Sequence, residues 1–291
     1  MNFSLYRSQL IILIIFIIAL GFFVYIKNRK QLIQPIVPDQ EKPIVVVIPS
    51  YNNEAYYKKN LRSVFEQQYS NYRVIYIDDN SKDKTYELVK KYIADKHQTE
   101  RVQLIHNDPN RGAMANLYHT IHSCKDHEIV VTLDGDDWFA HEHVLARINQ
   151  EYAGSDVWMT YGQFMFYPAY TNGFCQKILD YMLDTPHLLR KYKWVASHPR
   201  TFYAWLFKQV KQEDLMYEGG FFSVTWDQAM MFPMLEMAGS KHSRFIPQVL
   251  YIYNQANPIN DGRIHLAKVM RYEKIIRGMK PYARLANPIT S

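Results

Sequence analysis

The stretch Thr-Leu-Asp-Gly-Asp-Asp-Trp-Phe, Thr132–Phe139, places the carboxylates of Asp134, Asp136 and Asp137 almost side by side, directly after a run of strand-forming residues. Like charges this close repel unless a cation sits among them. Oxygen donors suit a hard divalent cation such as Mg²⁺ or Mn²⁺, and Mg²⁺ commonly takes one or two carboxylates together with substrate phosphates. An EF-hand is excluded, because its remaining ligand positions and closing Glu are missing. Read alone, the stretch is equally an Asp-Gly turn with solvated charges. A second candidate is Asp227, which precedes an apolar segment and suits either a general base or a helix N-cap. Glu213-Asp214 is a rival acidic pair for the base.

The elements that must position these groups follow from periodicity. Ile44–Ile48 is an apolar, β-branched run suited to a strand buried on both faces. Helical spacing over Asn60–Gln67, a strand at Val74–Ile77 and a helix at Thr85–Lys96 come next. Val102–Ile105, Ala113–Ser123 and Ile129–Leu133 complete a βαβαβαβ order. That order predicts an α/β fold with a mostly parallel sheet and helices on both faces. The four strands run into Pro-Ser-Tyr-Asn-Asn-Glu, Asp-Asp-Asn-Ser, His-Asn-Asp-Pro-Asn and Asp-Gly-Asp-Asp. Ligands of open α/β sheets sit beyond the carboxyl ends of the strands, so these polar ends should converge on one crevice. Neither Gly-x-Gly-x-x-Gly nor a Walker A sequence occurs, which argues against a dinucleotide fold or a P-loop ATPase. Farther on, Asp227–Ala238 reads as a helix that ends before Gly239 and is kinked at Pro233.

Taken in order and spacing, VVVIPSYNNE, VIYIDDNSKDKT, NRGAMAN and VVTLDGDDWF resemble the inverting family 2 glycosyltransferases of GT-A fold. The similarity is close over about Ile44–Phe139. It extends through SHPRTF, SVTWDQAMMFPMLEMAG and YIYNQANPIND to about Asp261. The resemblance implies a Rossmann-like sheet and a nucleoside diphosphate sugar donor, with UDP favoured. It further implies transfer of a hexosyl or N-acetylhexosaminyl group to a glycan, lipid or protein acceptor, and dependence on Mn²⁺ or Mg²⁺. By the same resemblance Pro49, Tyr51 and Glu54 line the base and ribose, and Asp79 hydrogen-bonds the base. Asp134 and Asp136 form the Asp-x-Asp pair, with Asp136 nearest the metal. Asp227 is the candidate base that the resemblance favours over Glu213-Asp214, and Asp137, Trp226, His198 and Arg200 are candidate substrate contacts. For Asp79 the alternative is turn or capping chemistry. One departure is Met114-Ala115-Asn116, where many members carry Ala-Arg-Asn. The phosphate-side Arg is therefore missing there, and Arg111 is its candidate replacement. Two rival classes are a nucleotidyl-transfer enzyme of similar fold and a non-catalytic nucleotide-sugar-binding scaffold. The first would carry a Gly-rich loop with Arg and Lys after the first strand, and the intact acidic residues argue against the second.

The N-terminal run Leu10–Ile26 is uncharged and apolar, and at about 1.5 Å per residue it approaches the lower limit for crossing a bilayer. It predicts a single-pass transmembrane helix in preference to a cleaved signal peptide. Lys27, Arg29 and Lys30 outweigh Arg7, which places the bulk of the chain on the cytosolic side. The expected organisation is an anchor and basic flank over 1–34 and a linker over 35–43 that carries Pro35, Pro38 and Pro43. A glycosyltransferase domain follows over 44–250, with a nucleotide-binding half to 139 and an acceptor half from 140, and then a closing segment over 251–291. A hydrophobic share of 48% excludes a disordered chain, and an aromatic share of 15% suits a cleft for flat or sugar-like ligands, although most of these residues are expected as ordinary core and surface aromatics. The net charge of +6 comes without a long basic block, so nucleic acid is not an expected partner. Cys124 and Cys175 have no metal or redox spacing and are expected as free thiols.

Overall fold

A computed structural model describes residues 41–154, 156–259 and 265–289. The predicted membrane span and most of the linker lie outside these residues, as does Asp261. Among the described residues no helix is long and apolar enough to cross a membrane.

The first half alternates as its hydrophobic pattern predicts. Strands β1 (Ile44–Ser50), β2 (Tyr72–Asp78), β3 (Val102–His106) and β4 (Ile129–Thr132) are connected by helices α1 (Tyr57–Phe65), α2 (Thr85–Asp95) and α3 (Ala113–Ser123). Every residue of β1 is buried, as its unbroken β-branched sequence requires of a central strand covered on both faces. Its register is parallel to both neighbours, with Ile44 level with Tyr72 of β2 and Ile129 of β4. The carboxyl ends of these strands therefore finish at one edge. Cys124 and Cys175 are buried free thiols.

The second half departs from a mostly parallel sheet. It contains β5 (Trp138–Phe139), α4 (Val144–Glu151), β6 (Met159–Tyr167), β7 (Thr171–Asn172) and β8 (Arg200–Tyr203). A small hairpin of β9 (Met216–Tyr217) and β10 (Gly220–Phe221) precedes α5 (Trp226–His242), β11 (Ser243–Asn254) and α6 (Leu266–Gly278). The main sheet runs β3-β2-β1-β4-β8-β6-β11-β5, with β7 paired to β6. Strand β8 is antiparallel to both β4 and β6, so the sheet is mixed. The reversal has a consequence for the site. Because β8 runs the other way, its amino end lies at the carboxyl edge of β4, and Arg200 falls level with Thr132.

Helix α5 is almost wholly buried over Gln228–Gly239, and its apolar side chains pack with Val45, Val47, Ile75 and Ile77 of the sheet in one core. Its break is at Gly239 (φ 60°, ψ −165°), where the backbone leaves the helical region, and not at Pro233. The N-cap is Thr225, so Asp227 stands inside the first turn and does not cap the helix. Thr225 has φ 58°, unusual for a β-branched residue, and borders the cleft.

Candidate active site

Two of the four polar strand ends, those of β1 and β4, border a cleft of about 640 Å³ whose lining includes Pro49, Tyr51, the Asp134–Asp137 tip, Arg200 and Asp227, whereas the ends of β2 and β3 lie outside that lining. Phe164, Phe166, Phe174, Trp194, Trp226 and Tyr253 give it an aromatic wall. Such faces stack against the C–H surface of a sugar ring while the polar end meets charge.

At the acidic tip, three neighbouring carboxylates occupy three different environments. Asn60 of α1 donates its amide to the carbonyls of Asp134 (3.0 Å) and Asp137 (2.8 Å), which fixes the turn. Gly135 allows the close approach: a Cβ there would meet Ser50 Oγ at 2.6 Å and Asn53 Nδ2 at 2.7 Å. The Asp137 carboxylate is buried and accepts from the Tyr251 hydroxyl and the Asn254 N–H, each at 2.6 Å. Burial, followed by the charges of Asp136 and Asp134, pushes its pKa well above the ordinary carboxylate value. Asp137 thus ties the tip to β11. Asp136 accepts from Asn257 Nδ2 at 2.7 Å. Asp134 Oδ2 lies 3.4 Å from Arg200 Nη2, whereas its buried Oδ1 has no hydrogen-bond partner. Burial raises the Asp134 pKa, and Arg200 opposes the rise.

Arg200 joins the two halves of the site. Its side chain is only 2% exposed, and its second guanidinium nitrogen lies 3.8 Å from Asp227 Oδ2. Its Nε–H reaches Thr132 Oγ1 at 3.2 Å, and the Trp226 ring lies 4.7 Å from the guanidinium carbon. Burial works against the charge, but Asp134 and Asp227 outweigh it and hold the Arg200 pKa above its usual value. The Trp194 indole N–H donates to Asp227 Oδ2 at 3.1 Å. Burial raises the Asp227 pKa, with Arg200, the Gln228 backbone and Trp194 pulling the other way. The result is a partly exposed carboxylate, oriented by two donors, at the cleft wall. His198 is buried, with a ring nitrogen near the Asp134 and Asp137 carboxylates, and is also part of the lining.

The nucleotide-side candidates divide. Pro49 and Tyr51 border the cleft. Asp79 is buried and binds the following loop: Oδ1 accepts from Asn107 Nδ2 (2.8 Å) and the Arg111 N–H (2.9 Å), and Oδ2 from the Gly112 N–H (2.8 Å). Gly112 supports this with φ +85°, a conformation that side chains resist. Glu54 accepts from the Lys84 N–H at 3.0 Å, just ahead of α2, and the Arg111 side chain is exposed. Asp79, Glu54 and Arg111 are outside the cleft lining. So is the rival pair Glu213-Asp214, where Asp214 accepts from the Tyr282 hydroxyl. Residues that sequence reasoning did not single out are Trp194, Tyr251, Asn254 and Asn257. The last three lie in the motif segment YIYNQANPIND, whose polar residues after an apolar run were the available signal.

A mixed sheet with an Asp-x-Asp turn at the end of β4 and an acidic residue at the same cleft is the layout of a GT-A-type fold. The chain belongs to glycosyl transferase family 2, whose model matches residues 45–214. It is 34% identical over 95 residues to the Bacillus subtilis protein EpsE, itself described as a glycosyltransferase, covering 32% of this chain and 33% of that one. It is 29% identical over 123 residues to an uncharacterized glycosyltransferase of Haemophilus influenzae, covering 42% and 47%. The matches thus span a third to a half of these relatives' own length. Among solved structures it is similar to S. aureus TarS in complex with UDP-GlcNAc, with a TM-score of 0.58 at 15% identity over 80% of this chain and 66% of that one. The mannosyltransferase PcManGT from Pyrobaculum calidifontis, in complex with GDP-Man and Mn²⁺, has a TM-score of 0.56 at 20% identity over 89% and 72%. These two likenesses concern the fold.

Proposed function

We propose that the protein is a membrane-anchored, inverting glycosyltransferase that moves a hexosyl or N-acetylhexosaminyl group from a nucleoside diphosphate sugar, preferably of UDP, to an acceptor hydroxyl. The observation that carries this reading is Arg200, buried between Asp134 and Asp227 in one cleft. A leaving diphosphate gathers negative charge on one side while the acceptor loses a proton on the other, and this constellation serves both needs. Residues 44–139 form the nucleotide half in this reading, 140–250 the acceptor half, and 251–291 the closing segment. The basic flank of the apolar run keeps the catalytic domain on the cytosolic side.

The residues present fit a divalent cation. Asp134 presents a buried oxygen without a partner, and Asp136 adds a second hard donor. When bound, such an ion neutralises charge on the departing diphosphate. The remaining work falls to the protein. Tyr51 and Pro49 flank the nucleotide, and the loop held by Asp79 shapes the adjoining wall. Arg200 offers its guanidinium to the diphosphate side. Trp194 holds one oxygen of Asp227, leaving the other to accept the hydroxyl proton as the new glycosidic bond forms. The aromatic wall holds the sugar and excludes water from the anomeric carbon.

The test is a screen of the purified full chain against nucleotide sugars, with Mn²⁺ or with EDTA. Nucleoside diphosphate release is followed, and the product anomer is assigned by NMR. Full turnover in EDTA would overturn the metal reading, and retention at the anomeric carbon would overturn single displacement.

A further inference from the structure

We propose that His198 supplies a nitrogen ligand to the cation held at the acidic tip, so that the site selects a transition metal such as Mn²⁺ over Mg²⁺. The inference rests on the reading that this tip binds a divalent cation, and goes beyond it by adding a ligand from a separate chain segment. Ligand atoms of Asp134, Asp137 and His198 all lie within 4.8 Å of one another. His198 is 5% exposed, lines the cleft, and its buried Nδ1 has no hydrogen-bond partner. Asp134 Oδ1 is buried and partnerless in the same way. Buried polar atoms are seldom left so, and partnerless atoms on two cleft-lining residues whose ligand atoms lie within 4.8 Å of each other call for a shared ligand.

The ring is also held in place for the task. It stacks on Tyr251, with centroids 4.3 Å apart and planes at 21°, and meets Phe164 edge-on at 5.6 Å. The Tyr251 hydroxyl donates to Asp137 Oδ2, so one side chain buttresses both the imidazole and the acidic turn. Both Asp137 oxygens already accept strong hydrogen bonds, which leaves that carboxylate as support and the third ligand position to His198. A metal takes the lone pair of a neutral imidazole, and the buried, partnerless Nδ1 is a nitrogen with no competing hydrogen bond. Arg200 does not compete for the position, because it faces the other oxygen of Asp134. Carboxylate and water donors alone suit Mg²⁺, whereas an imidazole nitrogen shifts preference toward the later divalent metals.

The experiment uses the full chain in detergent and the metals alone. Mn²⁺ binding is followed by the loss of the free-ion EPR signal, and Mg²⁺ by competition. Wild type should show ¹⁴N modulation in the pulsed EPR of bound Mn²⁺. His198→Ala and the more conservative His198→Asn should lose that modulation and weaken Mn²⁺ at least about tenfold, while Mg²⁺ affinity changes little. Near-UV circular dichroism checks that each variant keeps its packing. No ¹⁴N coupling in wild type, or an unchanged Mn²⁺ to Mg²⁺ ratio in folded variants, overturns the proposal. Asp136→Asn separates the two ideas. If it abolishes Mn²⁺ binding while both His198 variants bind like wild type, the acidic site stands and the histidine ligand falls. If wild type binds no metal at all, both fall.

Discussion

Replacing Asp227 with Asn isolates proton acceptance from everything else the residue does. The side chain keeps its size, and its amide oxygen can still accept the Trp194 indole N–H that now binds Oδ2 at 3.1 Å. No cap is lost, because Thr225 holds the N-cap position and makes no side-chain cap bond. What disappears is a negative charge in the first turn of α5, together with its 3.8 Å contact to Arg200. The first effect is worth about 0.3–1 kcal/mol. Arg200 keeps Asp134, so chemical denaturation should report a loss on the order of 1 kcal/mol. Turnover should fall far more, by roughly 10²–10⁴, or about 2.7–5.4 kcal/mol of barrier. Initial rates of nucleoside diphosphate release at saturating donor and acceptor measure it. The pH profile adds a second reading. A base acts deprotonated, and burial raises this carboxylate's pKa, so the wild-type rate should climb with pH through a value above that of an ordinary aspartate and level off beyond it. That limb should vanish in Asp227→Asn. A variant with turnover within about threefold of wild type and an unchanged limb would refute the assignment.

Asp79→Ala strips an acceptor from the Asn107 amide and the Arg111 and Gly112 N–H groups, at about 1–3 kcal/mol for each donor left buried and unpaired. Urea denaturation should record the loss, and calorimetry a weaker nucleoside diphosphate affinity; unchanged affinity would leave Asp79 a loop-holding role alone. Glu236→Ala removes the carboxylate that pairs with the Arg190 guanidinium, which is 4% exposed and, among the described residues, keeps only the Ile276 carbonyl as acceptor, and should cost about 3–5 kcal/mol by chemical denaturation. Gly135→Ala drives a methyl into Ser50 and Asn53, so it should destabilise the fold by about 1–3 kcal/mol and weaken Mn²⁺ binding. Full-length protein should stay in the membrane fraction through a carbonate wash, because Leu10–Ile26 carries no charge; release into the supernatant would count against an anchor.

The sequence by itself determined the first half of the fold and the chemistry of its edge. Strands β1 to β4 are legible because strands covered on both faces must be continuously apolar, and the helices between them must repeat near every third or fourth residue. The polar tetrad of strand ends follows from the same pattern, since βαβ connections bring parallel carboxyl ends to one edge. Local pattern stops there. That Asp137 is a buried tie to β11 while Asp134 faces Arg200 depends on partners 66 to 117 positions away in the chain. Nor does any local signal announce that β8 runs antiparallel between β4 and β6, because a short strand has the same two-residue repeat in either direction. Only the assembled sheet turns β8 around, sets Arg200 beside Thr132, and closes the distance between the acidic tip and Asp227. Composition and periodicity fix which faces are buried; the direction of one strand and the packing of β11 decide which charged atoms meet.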